Sequence, residues 1–162
     1  SYHKQYGDNF ISVMPTNLYG DNDNFDLETS HVLPALIRRF HEAKESGAPS
    51  LQLWGTGVAM REFLHVDDLA AACLHLMETY DEPEIVNIGT GVDVTIKELA
   101  ETIKATVGYE GEIEWDPSKP DGTPRKLLDV SKLHGLGFKH TIDLNEGIKL
   151  AYKWYKSNLI EN

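Results

Sequence analysis

Cysteine is almost missing from this 162-residue chain: Cys73 stands alone, which excludes an intrachain disulfide and a multi-cysteine zinc site and fits a reducing compartment. Long apolar runs are missing too. No stretch approaches the ~20 residues that span a bilayer, and no apolar run follows Ser1 to Lys4 as a signal peptide would require. Neither a membrane partner nor export is therefore expected, and the expected compartment is the cytoplasm. Positive charge is scarce, with 15 Lys+Arg against 26 Asp+Glu and a net charge of −11. Coating DNA or RNA needs cations that displace phosphate counterions, so a nucleic acid partner is not expected. An anionic ligand would have to be held by a local cluster. Core-forming residues are not lacking: 41% of the chain is hydrophobic, enough for a packed domain.

The pattern along the chain is mixed α/β. Phe10, Ile11, Val13 and Met14 form a compact apolar run before Pro15, Asn17 and Gly20, which reads as a buried strand ending in a loop and belonging to a parallel sheet. No helix-strand series precedes it, so this strand looks cut from a larger sheet, with an edge expected to seek pairing or swapping. From Ser30 to about Ser46 the period becomes helical, with Leu33, Leu36, Ile37 and Phe40 on one stripe and His31, Arg38 and Glu42 opposite. Leu51, Leu53 and then Phe63 to His65 read as short strands around Gly55-Thr56-Gly57. A helix follows from Val66 to about Tyr80, apolar enough to be expected largely buried. Ile85 to Ile88 reads as a strand. Thr95-Ile96-Lys97-Glu98 has the spacing of a capping box, with Gly108 placed to end its helix. Glu112 to Asp116 alternates like a strand, 117–124 is a loop with three prolines, and the last helix runs from about Asp143 to Ser157.

Several apparent motifs reduce to ordinary structure. Gly55-x-Gly57 and Gly89-x-Gly91 lack the third glycine of a dinucleotide loop and read as turns. Tyr152-x-x-x-Lys156 matches a dehydrogenase tyrosine-lysine pair literally, but it sits on an amphipathic helix whose aromatics read as core. His41-Glu42-x-x-Glu45 has glutamate where a zinc helix needs a second histidine, so no metal site is read. Cys73 reads as a small buried hydrophobe. A set that could carry chemistry is cationic and aromatic: Arg38, Arg39, Trp54, Arg61, Lys119, Arg125 and Lys126, with Asp121. Guanidinium groups fit phosphate oxygens bidentately, a flat ring can stack on a base, and a carboxylate accepts from hydroxyls. Spacing alone does not group them.

Met14-Pro-Thr-Asn-Leu-Tyr-Gly20, Arg61-Glu-Phe-Leu-His-Val-Asp-Asp-Leu-Ala70 and Asn87-Ile-Gly-Thr-Gly91 together resemble the later half of the extended short-chain dehydrogenase/reductase family of nucleotide-sugar enzymes. A narrower resemblance comes from Asn24-Phe25 with Ser30-His-Val-Leu-Pro-Ala-Leu-Ile-Arg-Arg-Phe-His-Glu-Ala43, Leu53-Trp-Gly-Thr-Gly57 and Lys119-Pro-Asp-Gly-Thr-Pro-Arg-Lys-Leu-Leu-Asp-Val130. These look like the members that use NADP to convert GDP-4-keto-6-deoxy-D-mannose to GDP-L-fucose by 3,5-epimerisation and 4-reduction.

The resemblance implies roles residue by residue. Pro15, Thr16, Asn17 and Leu18 would lie against the nicotinamide end of NADP. His31 would contact the cofactor and act as the acid of the epimerisation. Arg39, Trp54, Arg61 and Asp121 would bind the GDP-sugar. It also implies an α/β fold made of the C-terminal, substrate-binding part of such an enzyme. Residues 1–29 would be a remnant of the NADP-binding domain and 30–162 mainly the GDP-sugar-binding domain, with about 66–90 packing back on the cofactor domain. A homodimer is expected from the unpaired edge of the first strand. The glycine-rich loop, the serine, the reactive cysteine and the tyrosine-lysine pair belong to the family's first half and do not occur here, and Cys73 does not match that cysteine. A chain of this extent is expected to be inactive by itself. Asp21 stands where relatives commonly have proline. The alternatives are another nucleotide-sugar epimerase or dehydratase of the family, or a binding module without chemistry.

Overall fold

The computed structural model describes residues 2–160. A short helix α1 (Tyr2–Tyr6) leads to strands β1 (Val13–Pro15) and β2 (Asn17–Tyr19), then helix α2 (Val32–Glu45) and strands β3 (Ser50–Trp54) and β4 (Met60–His65). Helix α3 (Val66–Thr79), strands β5 (Val86–Ile88) and β6 (Asp93–Thr95), helix α4 (Ile96–Val107) and strand β7 (Glu112–Asp116) follow. Strand β8 (Arg125–Lys126), helices α5 (Ser131–Gly135) and α6 (Leu144–Tyr155) and a π-helical turn (Lys156–Ile160) complete the order. Ser1 lies outside the described residues, which begin with α1.

Helix boundaries fall where backbone chemistry requires them. Thr95 and Glu98 form the reciprocal capping box, and Gly108 closes α4 in a left-handed conformation at φ 74° that a side chain would strain. Asp143 accepts from the Glu146 amide at the start of α6, and His65 accepts from the Asp67 amide at the start of α3.

Strand β4 is central. It pairs parallel with β2 and β8 and antiparallel with β6, while β1 pairs parallel with β5 and β3 with β7. Successive side chains of a strand point to opposite faces, and β4 uses both. Phe63 joins a core with Leu33, Ile37 and Phe40 of α2, Leu99 and Ile103 of α4 and Ile148 of α6. Leu64 joins another with Ala72 and Leu76 of α3, Val86 and Ile88 of β5 and Leu133 of α5.

Two buried carboxylates tie these layers together. Glu62, fully buried, accepts from the amides of Thr90 at 2.6 Å, Gly91 at 2.7 Å and Leu128 at 3.1 Å. Asp68 accepts from the amides of Thr141 and Ile142, each at 2.9 Å. Each satisfies backbone donors that would otherwise be costly to bury.

Two expectations are corrected. The apolar run at Phe10 does not form one buried strand. Thr16 breaks it: its amide donates to Ile88 O and its hydroxyl to Glu62 O, so the chain steps from a pairing with β5 to a pairing with β4. Phe10 and Met14 are 63% and 50% exposed. Helix α3 is not largely buried. Asp68, Ala72 and Leu76 face inward, while Leu74 and Met77 are 64% and 73% exposed, because the sheet covers only one side of the helix. The short strand β6 and helix α5 were not expected from the sequence. The parallel pairing of the first strands, the capped helices, the strand at β7 and the proline-rich loop all stand as expected.

Removing the Glu62 carboxylate leaves three buried amides without an acceptor. Glu62→Ala should lower unfolding free energy by about 3 kcal/mol or more, against about 1 kcal/mol for Glu98→Ala at the exposed capping box. Urea unfolding with equal losses at the two positions would contradict the clamp.

Candidate functional site

Parallel α/β sheets bind ligands beyond the carboxyl ends of their strands. That is where this chain has a cleft. Thr16, Asn17 and Leu18 line a cavity of about 410 Å³ together with Gly20 and Val66, the residues that follow β2 and β4, and with Asp23 and His31. Thus Thr16, Asn17, Leu18 and His31, expected at a cofactor, come to one place; Pro15, at the end of β1, does not line the cavity. The segment is held firmly. The Thr16 hydroxyl and the Asn17 side-chain amide both donate to Glu62 O, at 3.3 and 2.7 Å. The histidine, the polar lining and the position at strand ends fit the nicotinamide end of a dinucleotide.

His31 precedes α2 as its N-cap, yet its side chain makes no capping hydrogen bond, so the exposed imidazole is left to the cleft. The loop before it is anchored by Phe25, buried and stacked on Trp154 with ring centroids 6.0 Å apart, and by Asp26, whose carboxylate accepts from the Glu28 and Thr29 amides.

The residues expected at a GDP-sugar gather around the end of β3. Trp54, its last residue, is 68% exposed, and the Lys119 ammonium lies 5.6 Å from its ring centroid. Arg39 donates to Gln52 O, two residues before Trp54 on the same strand face. Burial lowers the Arg39 pKa, although a guanidinium remains charged at any ordinary pH. Asp121 accepts from the Thr56 amide and hydroxyl, both at 2.7 Å, and so fastens the 117–124 loop to the turn after β3. Gly55 permits this approach: it has φ 79°, and a Cβ there would meet Asp121 Oδ1 at 2.3 Å. Arg61 reaches the same loop, with its Nη2 3.6 Å from where a Gly122 Cβ would stand. The Asp121 carboxylate thus positions the loop, a function that spacing did not reveal.

Other members of the cationic set are engaged elsewhere. Arg38 pairs with Glu42 at 2.7 Å, and Arg125 pairs bidentately with Asp93 at 2.5 and 3.1 Å. Lys126 is exposed on β8. Tyr152 is a core residue: its hydroxyl lies 3.1 Å from His41 Nδ1, and burial raises its pKa, the opposite of what a proton-transfer tyrosine needs. Among the described residues no cluster suits a metal ion.

The model of the NAD dependent epimerase/dehydratase family matches residues 1–89. The chain belongs to that family. Members similar to it include the probable GDP-L-fucose synthase 1 of Oryza sativa subsp. japonica, 59% identical over 160 residues, which cover 99% of this chain and 49% of the relative. The GDP-L-fucose synthase of Escherichia coli K12 is 55% identical over 167 residues, covering 98% and 52%. Among solved structures, a GDP-L-fucose synthetase from Naegleria fowleri bound to NADP superposes with TM-score 0.87 at 33% identity, covering 92% of this chain and 47% of that one. The chain spans about half the length of the curated relatives it matches. The Arg61 to Ala70 string carries, beside Arg61, the Glu62 clamp on Leu128 and the 90–91 turn, the His65 cap of α3 and the Asp68 tie to Thr141 and Ile142.

Thr56 bonding holds the Asp121 carboxyl below its ordinary 3.8. A group depressed on folding contributes above its ordinary pKa and loses that contribution as pH falls through the folded value. Hydrogen exchange should therefore find the Thr56 amide protected at neutral pH, losing protection only below about pH 3.8. In Asp121→Ala it should be unprotected at every pH, while Gly55, whose amide donates to Asp116 O, stays protected. Equal protection of Thr56 in both proteins would show that the loop is held some other way.

Proposed function

We propose that this chain forms the substrate side of a GDP-L-fucose synthase, an enzyme that epimerises GDP-4-keto-6-deoxy-D-mannose at carbons 3 and 5 and reduces carbon 4 with NADPH. The grouping around the turn after β3, with Asp121 on Thr56, Arg61 against Gly122 and Arg39 on the Gln52 carbonyl two residues before Trp54, is the observation that carries the reading. In it the two guanidinium groups neutralise the diphosphate, the Trp54 face stacks on a flat or apolar part of the ligand, and loop 117–124 closes over the sugar.

Inversion beside a ketone needs a base on one face and an acid on the other, and imidazole suits the acid near neutral pH. His31 fills that part. NADPH, when bound, would supply hydride to carbon 4; Thr16, Asn17 and Leu18, which line the cavity, would flank its nicotinamide end, with Pro15 leading into that segment. Residues 1–29 then belong to the NADP-binding domain and 30–162 mainly to the GDP-sugar domain. The exposed Leu74 and Met77 on α3 support the further reading that about 66–90 packs back on the cofactor domain. Among the described residues no helix is long and apolar enough to cross a membrane. A homodimer acting in the cytoplasm is part of the same proposal.

Calorimetry tests it. GDP should bind the 162-residue chain more tightly than inorganic phosphate or UDP, and Arg61→Ala should weaken GDP at least about tenfold, the scale of a lost charge-assisted bond. The isolated chain should not oxidise NADPH with the keto-sugar. Equal affinity for GDP and phosphate in a folded sample, or turnover by this chain alone, would refute the reading.

A further inference from the structure

The loop that delivers His31 also carries a carboxylate to which no role has yet been given. Asp23 lines the same cavity as His31. Its Oδ1 accepts from the Asn24 amide at 2.7 Å, while its Oδ2 is buried without a hydrogen-bond partner. A buried carboxylate oxygen with no donor is costly and calls for one. His31 lines the same cavity and its imidazole makes no capping hydrogen bond, so it is a donor at hand; burial raises the Asp23 carboxyl pKa, and a charge on His31 opposes that rise. The backbone between them is fixed by the Asp26 turn, by Phe25 in the core and by the Arg38 guanidinium on Phe25 O at 3.3 Å. Asn22, in a left-handed conformation at φ 62°, turns the chain so that Asp23 is offered to the cleft.

The position of His31 makes such a partner necessary. At the N-terminus of a helix the backbone presents positive partial charge, which disfavours an imidazolium. Helix α2 has no acidic residue in its first turn to offset it. The other groups around the cavity do not replace Asp23. Asp21 is exposed; the Tyr19 hydroxyl is neutral, its pKa driven far up by burial first and by Asp143 and Asp68 after it. The Asp26 carboxylate already accepts from Thr29 and Glu28, and the Arg38 charge is matched by Glu42. From the α3 side, the His65 ring is buried with Nδ1 accepting from the Asp67 amide, and Asp67 is exposed.

We propose that Asp23 is the positioning residue of His31, its free Oδ2 accepting an imidazole N–H so that the ring's tautomer is fixed and its protonated form favoured at the cleft. This rests on the reading of His31 as the acid of the epimerisation, but its test does not. Imidazole resonances of the 162-residue chain are titrated by NMR, with His31→Gln identifying the His31 signal. Asp23→Asn should lower the His31 pKa by about one unit, the scale for removal of a neighbouring opposite charge, and leave His75 and His134 unmoved. Asp21→Asn should move His31 less. An unchanged His31 pKa in folded Asp23→Asn, or an equal shift in Asp21→Asn, overturns the proposal.

Should Asp23→Asn fail to fold, the wild-type Asp23 carboxyl carbon gives the same decision. A coupled step at the pH where His31 titrates is expected, and its absence overturns the pairing. In a full-length enzyme the alkaline limb of the epimerisation profile, set by loss of the acid's proton, should move to lower pH with Asp23→Asn by the same amount. If the NMR shift appears but His31→Gln leaves epimerisation intact, the pairing stands and the acid role of His31 falls.

Discussion

The structure depends on how one buried carboxylate is satisfied. Glu62 lies at the middle of β4, and its side chain holds the amides of the 90–91 turn and of Leu128 while its carbonyl receives Thr16 and Asn17. The residue before it is Arg61, beside the 117–124 loop. A single position in one strand therefore fixes the spacing between the segment suited to a dinucleotide and the cluster suited to a sugar nucleotide. Truncating a buried, hydrogen-bonded charge costs several kcal/mol, far more than any surface ion pair, so this link is rigid where Arg38 with Glu42 is not.

Overall charge and local chemistry pull in opposite directions, and the fold reconciles them. A chain of net charge −11 repels anions at long range, and at physiological salt that repulsion fades beyond about 8 Å. Inside that distance, what matters is which cations are unmatched. Arg38 and Arg125 are paired with carboxylates, whereas Arg39 and Arg61 bond only to backbone carbonyls, which leaves their charge to act on a ligand. Lys119 over the Trp54 ring adds a further cation there.

Local signals in the sequence were read well because their physics is local. The Thr95 box, the Gly108 stop, the Asp143 start and the inner stripe of α2 each follow from a few neighbouring residues. The failures share a cause in long-range contact. Phe10 to Leu18 looked like one strand because nothing nearby shows that Thr16 will be bound by Ile88 and Glu62. Nothing local marks Asp68 as a buried tie, because its partners, Thr141 and Ile142, lie over 70 residues away. Helix α3 looked buried because composition does not say which side the sheet covers. For the candidate site, residue types were legible but their grouping was not: only the resemblance brought Arg39, Trp54, Arg61 and Asp121 together. The positioning of the loop by Asp121 and the unmatched Oδ2 of Asp23 had no signal in the sequence at all.

Chemical-shift mapping with GDP tests the central claim most directly, because it asks where the ligand sits as well as whether it binds. The account predicts saturable shifts of the Trp54 indole N–H and of the Thr56, Arg61 and Gly122 amides, with the indoles of Trp115 and Trp154 unmoved. Shifts centred on any other surface, or the same pattern and affinity with inorganic phosphate, would contradict a single sugar-nucleotide site at the end of β3.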